Sequence, residues 1–278
     1  MDLFPRSFLL VFQQLAVGGF LSLSIPPFHV VSRGYYQSSA SVYLLSATLA
    51  LLGRVALWWG AHPAAAAGIP SDALQLFLWS AFVTAAGGYV ATLWTERVFL
   101  RARLFVCTWA LGLVGLAVAA FAYTPNRIAS IELLLYPAAF IVSALLLGTV
   151  SAGMLLGHWY LVDRDLPLTP LQRMLAFYTA CLALQLALIV LVPLVLLVGG
   201  DPSTRLGLGR LLHDHLPFLL ARCLISPLGA GALAWMIWRT LQIPQTMAAT
   251  GLFYIAILAV MVGEFMGRYL LFRTGIPL

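Results

Sequence analysis

The sequence predicts an all-α, polytopic membrane protein, with eight transmembrane helices in a bundle and residues 1–278 forming a single integral membrane domain. Three observations predict it. The chain is 62% hydrophobic and only 9% charged, with a mean hydropathy of +0.99, a balance foreign to soluble domains. Its apolar residues lie in long continuous runs, where the strands of a barrel would alternate. The last of these runs carries a carboxylate and a guanidinium, Glu264 and Arg268.

About 20 apolar residues suffice to cross a bilayer. The predicted spans are 8–28, 40–60, 73–95, 104–123, 129–161, 171–199, 217–239 and 245–272. Pro26-Pro27 closes the first, and Pro63 and Pro70 bracket the loop after the second. Pro125-Asn126 parts the fourth from the fifth, and Pro167 and Pro170 part the fifth from the sixth, because proline cannot continue a helix. Pro137, Pro193 and Pro227 fall inside spans, where neighbouring helices can re-satisfy the freed carbonyl. The first run lacks a basic leader region and a small-residue cleavage site, so it is expected to be retained. No loop has room for a soluble domain, so any catalytic domain is expected on another chain. Gly18-Gly19 and the GxxxG pairs Gly153/Gly157 and Gly263/Gly267 mark expected close helix contacts.

All 15 cationic residues are arginine. An even number of spans puts both termini on one side. The loops facing away from the termini hold seven arginines (Arg33, Arg97, Arg101, Arg103, Arg164, Arg173, Arg239) against five on the terminal side (Arg6, Arg127, Arg205, Arg210, Arg273). The loops facing away are therefore expected to be cytoplasmic, with external termini. The net charge of +6 suits loops touching anionic membrane lipid and gives no reason to expect nucleic acid. Cys107, Cys181 and Cys223 stand singly and form neither a metal spacing nor a disulfide framework. The pair His213/His215 alone is a poor metal signal, and no metal is expected. The sequence holds no hydrolytic triad, P-loop or dinucleotide fingerprint.

Two polar layers remain. Toward the terminal side lie Gln13 and Gln14 in the first span, Arg54 late in the second, Arg222 early in the seventh, and Glu264 with Arg268 in the eighth. Each charge costs about 2.5–3.5 kcal/mol at mid-membrane on insertion scales. The four-residue spacing puts Glu264 and Arg268 on one helix face. Two readings stand: a clamp that pins helices together, or a site for an anionic or carbonyl-bearing ligand such as a quinone or a lipid headgroup. Arg54 and Arg222 are also long enough to snorkel to the interface.

At the opposite face, His29 precedes Arg33 and Tyr35-Tyr36, and Gly157-His158-Trp159-Tyr160 closes the fifth span. A histidine beside aromatic rings at a membrane edge can bind a quinone carbonyl, relay protons or ligate haem. His158, His29, Trp159, Tyr160 and Arg33 are the candidates for quinone binding or proton relay, and His29 with His158 is the candidate pair for a haem b. The other reading is an interfacial aromatic belt.

The two ends of the chain resemble the dimethyl sulfoxide reductase anchor-subunit family, related in role to the polysulfide and nitrite reductase anchors. The resemblance rests on Phe12-Gln13-Gln14-Leu15-Ala16-Val17-Gly18-Gly19-Phe20 in the first span and Gly263-Glu264-x-x-Gly267-Arg268 in the last, with Arg222 opening the seventh. The second span departs from the family pattern. Trp58 stands where a histidine is expected, His62 is offset, and the predicted third span, 73–95, lacks the acidic residue expected early in it. The resemblance implies a non-catalytic membrane anchor of a respiratory oxidoreductase in the inner membrane. It implies quinone as substrate, no covalently bound cofactor, and an iron–sulfur subunit and a catalytic, molybdenum-type subunit as partners. A polytopic structural or assembly protein without a redox role is the alternative.

Overall fold

The computed structural model describes residues 3–60, 70–124, 131–163, 165–243 and 245–278. His62, Pro63, Pro125, Asn126, Arg127 and Arg164, all used in the sequence reading, lie outside them. Every regular element among the described residues is helical: α1 Leu3–Ser22, α2 Arg33–Gly60, α3 Pro70–Thr92, α4 Val98–Phe121, α5 Glu132–Val162, α6 Thr169–Gly199, α7 Pro202–His213, α8 Leu216–Cys223, a π-helical segment Leu224–Ala230, α9 Gly231–Gln242 and α10 Thr246–Thr274. Among the described residues seven helices are long and apolar enough to cross a membrane, with α8, the π segment and α9 counted as one continuous helix. The interior is mostly apolar and also holds charge: Glu264, Arg222 and Arg268 are fully buried, while large apolar side chains such as Leu52, Phe77, Leu134 and Val198 are exposed. Apolar side chains on the outside suit a hydrocarbon solvent.

α5 is the axis, with 61% of its central window buried against 22–33% in the other six. It packs against α1, α2, α4, α6 and α10. The α1–α5 crossing is set by glycine: a Cβ on Gly18 would run into the backbone at Ala144, and one on Gly148 into the backbone of Gly18. Along α5, Gly153 receives the Phe253 ring and Gly157 the Thr250 side chain, both from α10. The small-residue pair in α5 is thus a seat for α10.

Several boundaries differ from the sequence reading. α1 ends at Ser22, before Pro26-Pro27, and α2 starts at Arg33, with Tyr35 and Tyr36 buried in its first turn. α7, read as loop from sequence, is an amphipathic helix. Asp201 precedes it in extended conformation, Pro202 opens it, and Thr204, Gly207, Leu208 and Leu211 form its buried face. The proline within the seventh span has a structural consequence. Pro227 has no N–H and its ring crowds the carbonyl one turn back, and here the helix widens into the π segment. Pro137 and Pro193 sit inside ordinary α-helix.

α10 ends on Gly275, the one described residue with a left-handed backbone at φ 77°, whose N–H donates to Leu271 O at 2.8 Å. A side chain would be strained there. The turn carries Ile276 and Leu278 into an apolar cluster with Val192, Leu196, Leu208, Leu211 and Leu270. Tyr136 of α5 locks it by donating its hydroxyl to Gly275 O at 2.7 Å.

Candidate functional site

α10 positions the charged site. Glu264 and Arg268 share one face, and Arg268 Nη2 donates to Glu264 Oε2 at 3.1 Å. The second partner comes from α8: Arg222 Nη2 lies 3.3 Å from Glu264 Oε1, and its Nη1 donates to the Gly263 carbonyl. Gly263 and Gly267 make room for this. A Cβ on Gly267 would strike the Arg222 guanidinium, and one on Gly263 would strike Ser226 of the π segment. α5 closes the site from the other side. Arg268 Nη2 donates to Ser143 Oγ at 2.7 Å, and the Arg268 guanidinium lies 4.9 Å from the centre of the Phe140 ring. From α1, Gln14 Nε2 donates to Phe140 O at 3.1 Å.

Two buried guanidinium groups share one side-chain carboxylate, and Arg268 Nη2 also reaches Leu278 O at 3.5 Å. Among the described residues, Arg222 Nε, Arg268 Nε and Nη1, Ser226 Oγ, Gln14 Oε1 and both amide atoms of Gln13 have no hydrogen-bond partner. The geometry can hold helices together and can receive a polar or anionic group. Arg54 stands apart from this triad. It donates to Gln75 Oε1 of α3, so it joins α2 to α3, while the charge partners of Glu264 are Arg222 and Arg268.

The second polar layer lies at the other end of α5. Ser143 and His158 are 15 residues apart on that helix, about 22 Å at 1.5 Å per residue. Here Arg33 forms a two-pronged ion pair with Glu96 in the α3–α4 turn, at 2.8 and 2.9 Å. The hydrogen bonds from Arg33, reinforced by its charge, hold the Glu96 carboxyl below the usual carboxylate range. Arg101 is a buried member of the same end. Its Nη2 donates to Thr95 O at 2.8 Å and its guanidinium lies over the Phe28 ring, which stacks on Tyr36. Counted from sequence only as a loop charge, Arg101 ties the α1–α2 turn to α4.

His158 is exposed, and its Nδ1 is hydrogen-bonded to the Tyr254 hydroxyl of α10 at 3.2 Å. Trp159, the next residue, lies against the bare Cα of Gly34 at the start of α2. Tyr160 is buried and donates to Pro167 O at 2.5 Å, closing the α5–α6 turn. His29 is exposed in the α1–α2 turn. The three residues of the motif therefore point to three places: His158 to α10, Trp159 to α2 and Tyr160 to α6. No cluster of three or more His, Cys, Asp or Glu able to hold a metal occurs among the described residues.

Sequence reasoning missed Glu132. It is fully buried at the start of α5, where its Oε1 accepts from the Thr204 hydroxyl at 2.7 Å and the Asp201 N–H at 3.3 Å. A carboxylate at a helix N-terminus satisfies free N–H groups and complements the helix dipole. The Asp-Pro pair that starts α7 was the available signal.

No protein-family model, no curated protein and no solved structure matches the chain.

Proposed function

We propose that the chain is the membrane anchor and quinone-interacting subunit of a multi-subunit respiratory oxidoreductase. It passes electrons between the quinone pool and an iron–sulfur partner and carries no catalytic centre of its own. In this reading α1 is an eighth span, the termini are external, and the inner membrane is the location. The observation that carries it is the meeting of the sequence segments on which the family resemblance rests. α1 packs on α10, with the Phe8 and Phe265 rings 4.5 Å apart. Gln14 of α1 bonds the Phe140 carbonyl, the Phe140 ring lies under Arg268, and Arg268 shares Glu264 with Arg222 of α8.

The quinone contact falls to the pair His158 and Tyr254. Both are exposed at the edge of the bundle, within hydrogen-bonding distance of each other. A quinone head reaching that edge from the lipid meets a hydroxyl donor and an imidazole, a side chain able to take up and release protons. The redox chemistry belongs to the quinone and the partner's cluster.

Purification of the tagged chain from its native membranes tests the reading. An iron–sulfur subunit should co-purify, and its cluster should be reduced by quinol. A chain that purifies without a redox partner is a structural or assembly protein. Haem bands in the reduced-minus-oxidised spectrum of the purified chain would replace the reading with a haem-bearing subunit.

A further inference from the structure

A groove of about 710 Å³ runs between α6 and α9, lined along its length by Gln172, Ala176, Ala180, Gly231, Trp235 and Gln242 among others. It is open to the outside of the bundle, and Trp235 and Trp238 on its α9 wall are 61% and 49% exposed. Its two ends differ. Gln172 of α6 and Gln242 of α9 lie together at one end, and Ala183 and Gly231 lie at the other. Eleven residues separate Gln172 from Ala183, and eleven separate Gly231 from Gln242, so each wall is about 16 Å long at 1.5 Å per residue. One leaflet of a hydrocarbon core about 30 Å thick is about 15 Å deep. The groove therefore matches the depth of a single leaflet, from its polar rim to mid-membrane. A transmembrane helix from a partner would need a seat twice as long.

The polar end is also cationic. Arg173 follows Gln172 on α6, and Arg239 donates to Gln242 Oε1 at 3.4 Å. Both arginines are exposed. The walls below are alanine, glycine and leucine with two indole rings and the hydroxyl of Thr179, which bonds back to Leu175 O of its own helix, and they suit a flexible hydrocarbon chain. Arginines at a bilayer rim face the headgroup layer, where they attract anionic lipid.

We propose that this groove binds an anionic phospholipid. One acyl chain fills the space between α6 and α9, and the phosphate sits at Arg173 and Arg239. The site is separate from His158 and from the Arg222–Glu264–Arg268 cluster and does not depend on the redox reading.

Tryptophan quenching in nanodiscs tests it, using the full chain. The discs contain phosphatidylcholine with a minor fraction of phosphatidylglycerol, and one or the other lipid is brominated on an acyl chain. At equal mole fraction, brominated phosphatidylglycerol should quench more than brominated phosphatidylcholine. The excess should vanish in W235F/W238F, which removes the two groove reporters and leaves the other six tryptophans. It should also vanish in R173Q/R239Q, which alters only exposed side chains, since juxtamembrane arginines enrich anionic lipid on the order of tenfold for two. Ala180→Phe, which fills the groove from an exposed helix face, should lower quenching of Trp235 and Trp238 by either lipid. Equal quenching by the two lipids in the wild type overturns the proposal. So does a preference that survives R173Q/R239Q, or quenching unchanged by Ala180→Phe. Charge-independent quenching would give the groove to an uncharged chain such as a quinone tail.

Discussion

The guanidinium of Arg222 lies on the bare Cα of Gly267, so that a single methyl group at position 267 would occupy the space of Nη1. The glycine is therefore part of the charged site. It sets the distance at which α8 can present its arginine to Glu264 across the α8–α10 contact.

Gly267→Ala should lower stability by about 1–3 kcal/mol, the usual cost of overpacking. Gly263→Ala should do the same through Ser226. Gly251, on the same helix, has open space where a Cβ would go. Gly251→Ala should be neutral or stabilising by up to about 1 kcal/mol, because alanine is the better helix former. Thermal unfolding of the three variants in detergent checks the contrast. Equal losses at all three positions would mean that the glycines act through the backbone alone.

Removing the carboxylate leaves two arginines facing each other in a dry interior. Glu264→Ala should cost on the order of 3–5 kcal/mol. Pairing it with Arg222→Leu should recover part of that loss, since the double variant removes one of the stranded charges. A double-mutant cycle on unfolding temperature measures the coupling. Strict additivity would show that the two side chains do not interact.

His158→Ala should leave the chain folded, because the side chain is exposed and its partner Tyr254 can turn to the interface. Quinol-linked electron transfer by the complex should fall, and Tyr254→Phe should lower it less, because it keeps the histidine. Turnover equal to wild type in both variants would leave His158 as part of an aromatic belt.

The Arg33–Glu96 clasp should weaken in acid. Glu96 has its carboxyl lowered in the folded chain by the hydrogen bonds and charge of Arg33. Its contribution is therefore present above the ordinary carboxylate pKa and is lost as pH falls through the lowered one. Both side chains are exposed, so the effect is small. The difference in unfolding temperature between wild type and Glu96→Gln should be measurable near neutral pH and should close in acid. A gap that persists in acid would assign it to something other than the ion pair.

Glu132→Ala should release α7 from α5. The variant loses the carboxylate that Thr204 and the Asp201 N–H bond to, a cap worth about 1 kcal/mol. Amide exchange over residues 202–213 should quicken while α5 and α10 stay protected. Unchanged exchange would show that the apolar face of α7 holds it alone.

Seven of the eight predicted spans were readable because membrane helices are coded by composition and proline, both local properties. The Glu264–Arg268 pairing was readable for the same reason, since a four-residue spacing fixes a shared face. What crosses between helices was not. Arg54 turning to Gln75 and Arg268 reaching Ser143 depend on which helices are neighbours, and hydropathy carries no such information. The π segment follows from Pro227, but a proline does not announce whether it will kink a helix or widen it. α7 escaped because a short amphipathic helix has half the apolar content of a span. Arg101 looked like a loop charge because its burial comes from Phe28, which belongs to a different turn.

At Gly18 and Gly148 the backbones of α1 and α5 touch near the midpoint of α5, with no side chain between them. That contact leaves no width for a file of water along the α1–α5 seam. The contact is an insulating waist, and in a bilayer a charge crossing it would move through part of a transmembrane voltage worth about 2.3 kcal/mol per elementary charge per 100 mV. The charge at Glu264 and the charge at Arg33 stand on opposite sides of that waist and sense different fractions of the voltage.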